Sequence, residues 1–306
     1  MTTPSLSTTA PATRRNAILI LLLTGFLWSS SGLFVKLISW EPLAILGGRS
    51  FLAGLVLLAY LRTIPTGWNR WQIGGALAYM LTQLLFIIAT KLTTAANVIF
   101  LQFTSPLYII FFAYWILRER PQRADWLLMP VIFLGMGLFF GDDLSFDGLL
   151  GNVLAIISAV TMAFMIVMLR AQKSDSPAKS IFLGNVIGAA IGLPFIFQEA
   201  IAAVDLGIIL YLGLIQIGLS MVLYTMAIKH VPALESTLIV TIEPVLNPVW
   251  VFLVIGEVPG LMAIVGGVLV LGAVTTRAII SARPASETLQ EPGLLQSRLA
   301  KWRKAP

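Results

Sequence analysis

A carboxylate, a carboxamide and an indole share one face of a single apolar segment. Glu243, Asn247 and Trp250 fall at helical spacing, with Ser236 two turns earlier. A carboxyl group at hydrocarbon depth is costly unless it finds a partner, a proton or water. Glu243 could therefore contact a cationic amine on a bound solute or carry a proton. It could equally be a protonated acid bonded to another helix, or a partner for Arg49. Similar mixed faces recur along the chain: Trp28 with Ser29 to Ser31, Tyr79 with Gln83 and Phe86, Asn97 with Leu101, Thr104 and Tyr108, and Gln216 with Ser220 and Tyr224. A few oriented polar groups among large apolar ones suit a zwitterion with an apolar or aromatic side chain. The same residues also join membrane helices by ordinary hydrogen bonds. The candidate substrate-binding residues are Trp28, Tyr79, Gln83, Asn97, Tyr108, Gln216, Tyr224, Glu243 and Asn247.

Other side chains are expected to do structural work. Arg49, seven residues into its apolar run, should snorkel to the interface or pair with an acid, a carboxylate clamp being its other use. Glu235 suits the positive end of a helix dipole. Lys91 and Lys229, like Glu119 and Glu257, end their helices, where anchoring or a gate contact is expected. Pro106 and Pro244 each stand about twelve residues into an apolar run. There a proline removes a backbone hydrogen bond and presses on the carbonyl four residues earlier, so both are expected to kink their helices and to serve as hinges.

Several chemistries are closed. The chain has no Cys and a single His, His230, so thiolate or multi-histidine metal sites and cysteine nucleophiles are excluded. There is no Gly-rich loop followed by Lys and Ser or Thr, the signature of a nucleotide-driven motor. Neither a cofactor nor a metal is expected, and an enzyme is not, since a membrane hydrolase or transferase would need converging nucleophile, base or metal ligands at depth.

The elements that hold these residues are membrane helices. The chain has 306 residues, 58% hydrophobic and 11% charged, with a mean hydropathy of +0.92. That is more apolar surface than one soluble core can bury. Ten long apolar runs follow one another, at 17–39, 42–62, 71–90, 94–117, 124–141, 149–170, 179–198, 206–229, 233–255 and 259–281. About 20 helical residues cross a bilayer core, and these runs lack the alternation of barrel strands. The fold expected is all-α and polytopic.

An internal repeat organises the runs. Lys91, Ala95, Pro106 and Glu119 reappear as Lys229, Ala233, Pro244 and Glu257, each 138 positions later. The chain divides into a segment 1–16, a first five-helix repeat 17–141, a second 149–281 and a tail 282–306. Five helices per half is odd, so the halves should insert in opposite senses, as inverted repeats around a central cavity. Seventeen of the 20 Lys and Arg lie in segments that share a side if the amino terminus is cytoplasmic, against Lys36 and Lys91 on the other. The positive-inside rule then places both termini in the cytoplasm of a bacterial inner membrane. It also explains the net charge of +6 without nucleic acid.

The repeated Ala–Pro–Glu run, the five-helix halves and Leu27-Trp28-Ser29 resemble the ten-helix metabolite exporters of the drug/metabolite transporter superfamily, and more narrowly the branch that exports aromatic amino acids. The resemblance covers about residues 17 to 281 and implies a basket with a cavity open alternately to each side. The expected function is secondary export of amino acids, aromatic and other apolar side chains favoured, or similar small metabolites. Export of drugs or other metabolites in the same fold is the alternative. The partners expected are a small-molecule substrate and the lipid bilayer, and a monomer would suffice.

Overall fold

The structure is a computed structural model that describes residues 11–118, 123–138, 141, 146–172, 176–227, 230, 239–240 and 242–282. Its elements, in chain order, are α1 (Pro11–Ser29), α2 (Ser31–Leu37), α3 (Pro42–Leu61), α4 (Arg70–Leu92), α5 (Ala95–Gln102), α6 (Ser105–Phe112) with a π-helical extension Ala113–Leu117, α7 (Arg123–Leu138), α8 (Phe146–Ala171), α9 (Pro177–Ile196), α10 (Ala203–Leu210), a π-helical segment Tyr211–Leu219, α11 (Ser220–Ala227), α12 (Ile242–Ile255) and α13 (Leu261–Ala282). No strand occurs among the described residues. Seven helical spans are long and apolar enough to cross a membrane. Three shorter apolar helices, Met129–Leu138, Ile242–Ile255 and Leu261–Thr276, stand in the fifth, ninth and tenth apolar runs. Trp115, Leu127 and Phe197 are exposed, as suits side chains whose solvent is lipid.

Local sequence sets the helix ends. Asn69 accepts from the backbone of Trp71 and Gln72, both at 2.9 Å, and Gln72 Oε1 accepts from Asn69 N at 3.0 Å. This reciprocal cap satisfies donors that the first turn of α4 would leave orphaned. Pro42 starts α3, where its missing N–H costs nothing.

Two apolar runs expected to be single helices are broken. Ser30 separates α1 from α2. Around it, Ser29 Oγ donates to Phe26 O and Ser30 Oγ to Leu27 O, each at 2.7 Å. Such back-bonding competes with the helical ladder and bends the helix. The fourth run breaks at Phe103 and Thr104, where Thr104 Oγ1 donates to Leu101 O at 2.6 Å. Pro106, in the first turn of α6, supplies the reason, because it has no N–H to return to Gln102. Pro244 is buried in the first turn of α12.

Packing runs between the halves of the chain. α3 packs on α9, α4 on α8, α7 on α13, and α1 on both α11 and α12. The α3–α9 contact is backbone on backbone. A Cβ added at Gly47 would lie 2.2 Å from Gly192 C, and one added at Gly192 would lie 2.4 Å from Gly47 N. Small residues allow this approach where lipid gives helices no hydrophobic incentive to associate. Gly47→Ala is therefore expected to lower the thermal midpoint of the detergent-solubilised protein by several degrees through overpacking. Gly137→Ala, where an added Cβ meets nothing within 4 Å, should leave it unchanged.

Candidate functional site

The break at Ser30 collects polar and aromatic groups from distant parts of the chain. Trp28 Nε1 donates to Ser220 Oγ at 2.7 Å, and its ring lies 5.2 Å from that of Tyr224. Ser29 Oγ accepts from Trp250 Nε1 at 2.9 Å. Trp250 also meets Phe26 edge-on at 5.8 Å. Ser30 Oγ and the Tyr211 hydroxyl share a bond of 2.9 Å, and Tyr211 stacks at a tilt on Phe34, 4.5 Å away. The first apolar run is thus tied to α11, α12 and the π-helical segment within two turns.

Two of the candidate amides, both buried, have atoms without a partner among the described residues. Asn247 is fully buried, and neither Oδ1 nor Nδ2 has a hydrogen-bond partner among the described residues. Its amide fills the space a side chain at Gly32 would need, with Oδ1 2.4 Å and Nδ2 2.9 Å from an added Cβ. Gln216 is buried with its Oε1 unpartnered. Leaving a buried polar atom unsatisfied costs roughly 1–3 kcal/mol, so these groups are available to a ligand as few others are. Glu243, one turn before Asn247, is half-buried. Trp28, Tyr224 and Asn247 therefore gather around one helix break, with Glu243 one turn before Asn247 and Gln216 tied in through its backbone carbonyl, which accepts from Ser220 Oγ.

The remaining candidates lie elsewhere. Tyr79 is buried, and its hydroxyl accepts from Gln83 Nε2 at 3.3 Å and from Asn185 Nδ2 at 3.4 Å. Asn97 Nδ2 donates to Asn152 Oδ1 at 3.1 Å, and Thr93 Oγ1 donates to the same atom at 3.1 Å, a helix-to-helix junction of α5 with α8. Tyr108 directs its hydroxyl toward Met136 Sδ on α7, 4.0 Å away. Arg49 does not snorkel: it is 2% exposed. Glu119, Lys229, Glu235, Ser236 and the tail after residue 282 lie outside the described residues.

At one end of the bundle a charged contact joins the halves. Lys36 Nζ lies 2.9 Å from Glu257 Oε2 and donates to Thr93 O at 2.7 Å. Glu257 Oε1 accepts from Ala95 N at 2.7 Å, capping the start of α5 as a carboxylate at the positive end of a helix dipole should. Beside it Lys91 Nζ donates to Ile38 O. Asp205 accepts from Ser39 N at 3.0 Å and from Ser39 Oγ at 2.6 Å. Sequence reasoning named Lys91 as a gate candidate and missed Lys36, which lies at the end of its own apolar run just as Lys91 does. Only the fold selects between them.

Among the described residues no three His, Asp or Glu side chains cluster as metal ligands would. Polar groups gathered at helix breaks inside an apolar helical bundle are what a polytopic membrane protein presents. The EamA-like transporter family matches residues 15–141 and again 149–276, and the chain belongs to that family. An uncharacterized transporter of Archaeoglobus fulgidus is 25% identical over 258 residues, which cover 83% of this chain and 93% of that protein. The pseudopaline exporter of Pseudomonas aeruginosa is 26% identical over 270 residues, covering 85% and 94%. A crystal structure with 18% identity shares the fold at a TM-score of 0.62, covering 89% of this chain and 100% of the other.

The charged contact yields a test that the absence of native cysteine makes simple. Glu257→Gln removes the ion pair and weakens the cap on Ala95, bonds worth roughly 1–3 kcal/mol to an ionised group. A cysteine placed at Ala96, 1% exposed, should react with a membrane-impermeant maleimide several-fold faster in the Glu257→Gln background. An unchanged rate would show that the pair does not hold this end shut.

Proposed function

We propose that the chain is a secondary exporter that moves amino acids with aromatic or other apolar side chains, or similar small metabolites, out across the inner membrane by alternating access. The observation that carries this reading is the cluster at Ser30. There indoles and phenols from α1, α11, α12 and the π-helical segment meet serines beside the unpartnered amide of Asn247, and the π-helical segment also carries the buried Gln216 with its Oε1 unpartnered. Aromatic faces would receive an apolar side chain, and the amides would receive its ammonium or carboxylate, few polar groups sufficing to orient a small solute. Glu243 adjoins them as the acid for an amine or a proton.

Alternating access is supported by the fourfold recurrence at an offset of 138 and by a family match that falls once in each half of the chain. In this reading the halves are inverted five-helix repeats, ten helices in all, with both termini cytoplasmic by charge distribution. The Lys36–Glu257 contact is then the periplasmic gate, and Pro106 and Pro244 are the hinges about which half-helices tilt. A relative named as an exporter supports the outward direction. One buried cation, Arg49, argues against phosphorylated cargo, which calls for several.

Counterflow in liposomes, with a panel of radiolabelled amino acids, drugs and sugar nucleotides, tests the cargo. Uptake of phenylalanine, tyrosine or leucine should be stimulated by the same solute inside. Stimulation by drugs or sugar nucleotides alone would overturn the amino-acid assignment.

A further inference from the structure

We propose that Arg49 is the carboxylate-binding residue of this carrier, acting with the Tyr79 phenol. The inference deepens the proposed function and rests on it. Arg49 is among the largest fully buried side chains, its Nη2 has no hydrogen-bond partner, and no carboxylate closes an ion pair with it among the described residues. A guanidinium cannot escape by losing its proton, and an isolated buried charge is strongly unfavourable. Such a group is retained where an anion meets it during the working cycle.

The surroundings say what kind of anion. Tyr79 of α4 packs in one cluster with Leu57, about two turns past Arg49 on α3. Its hydroxyl oxygen already accepts from Gln83 Nε2 and Asn185 Nδ2. With its lone pairs so engaged, the phenol keeps its proton to give. A guanidinium N–H and a phenol O–H are two donors for which no acceptor stands among the described residues, and the two oxygens of a carboxylate could accept from both. A single positive charge suits a monocarboxylate.

The fold holds the guanidinium in place. α3 is fixed against α9 by the Gly47–Gly192 contact, and an added Cβ at Gly188 would lie 2.8 Å from Ser50 Oγ. Arg49 stands seven residues, roughly 10 Å, past the start of α3, and cannot ride outward. Further along, the same interface slackens: a Cβ at Gly54 would lie 3.9 Å from Asn185 Cβ, beside the amide that bonds Tyr79. Met221 and Val222 of α11 pack in one cluster with Tyr79, while Ser220 and Tyr224, on another face of the same helix, meet Trp28. A shift of α11 that follows the aromatic wall would therefore be felt at Tyr79.

The test compares acids with their derivatives in counterflow on the full-length protein in liposomes. Each amino acid that drives exchange is set against its methyl ester and its decarboxylated amine. The wild type should prefer the acid to both by about tenfold or more, as expected when a site's buried donors are left unmatched. Arg49→Gln should raise the half-saturating concentration of the acid by about tenfold while leaving that of the amine within about twofold. Tyr79→Phe should do the same to a smaller extent, and it serves if Arg49→Gln does not fold. Ester and acid competing equally in the wild type, or either variant weakening acid and amine alike, would overturn the proposal. So would an Arg49 effect that vanishes when chloride is replaced by a large impermeant anion, since the site would then hold an inorganic ion. Vigorous exchange of amines or drugs with rejection of every carboxylate would sink the Arg49 assignment and leave the transporter reading standing. Carboxylated metabolites other than amino acids driving Arg49-dependent exchange would do the reverse to the amino-acid assignment.

Discussion

Hydrocarbon offers no hydrogen bonds, so every backbone group released by a broken helix must find a partner within the protein. The positions of this chain's functional groups follow from that demand. At Ser30 and again at Phe103–Thr104, short hydroxyl side chains turn back onto carbonyls of the preceding turn. Once a break is made in this way, side chains on either side leave the regular helical surface, and neighbouring helices approach with indoles and phenols that need partners of their own. Trp28 and Trp250 both spend their N–H groups on serines at or against the first break. The polar cluster is therefore built by the same serines that bend the helix, and the break cannot be repaired without dispersing it.

A second constraint is the interleaving of the halves. Because α3 packs on α9 and α4 on α8, no plane separates the first half of the chain from the second. Backbone contact at Gly47 and Gly192 leaves no slack for opening those helices like a hinge along their length. The charged contact at Lys36, Thr93, Ala95 and Glu257 is built from part-buried polar bonds and involves no close approach of backbones. The two kinds of contact between the halves are thus in different places.

Hydropathy and helix punctuation were legible before any fold was known. The apolar runs 42–62 and 179–198 became Pro42–Leu61 and Pro177–Ile196, because an apolar run of that length has only one way to satisfy its backbone in lipid. The break before Pro106 was legible too, since proline announces the lost bond by residue type. The break at Ser30 was not, because serine in a membrane helix bends it only when its rotamer turns back, and sequence does not fix the rotamer. Depth along the membrane can be read from position in a run, but rotation around the helix cannot. Arg49 illustrates this: its depth permitted snorkelling, and the direction it faces forbids it. Of the residues singled out from sequence, Trp28, Tyr224 and Asn247 lie near the first break, whereas Asn97 and Tyr108 serve other junctions. Partners such as Ser29 with Trp250, or Lys36 with Glu257, are distant in sequence, and no local pattern announces them.

The π-helical stretch from Tyr211 to Leu219 has a consequence of another kind. A π turn arises where a helix holds one more residue than its regular repeat allows, and one residue corresponds to about 100° of rotation around the axis. Tyr211, inside the stretch, meets Ser30 and Phe34, and Ser220, just past it, meets Trp28. The stretch works as a phase shifter, bringing onto one side of the helix groups that a regular winding would spread around it. A single-residue insertion or deletion there would re-aim the groups that meet Ser30, Phe34 and Trp28 without altering any of them. Such changes would escape a comparison of residue types and appear only as a change in what the carrier accepts.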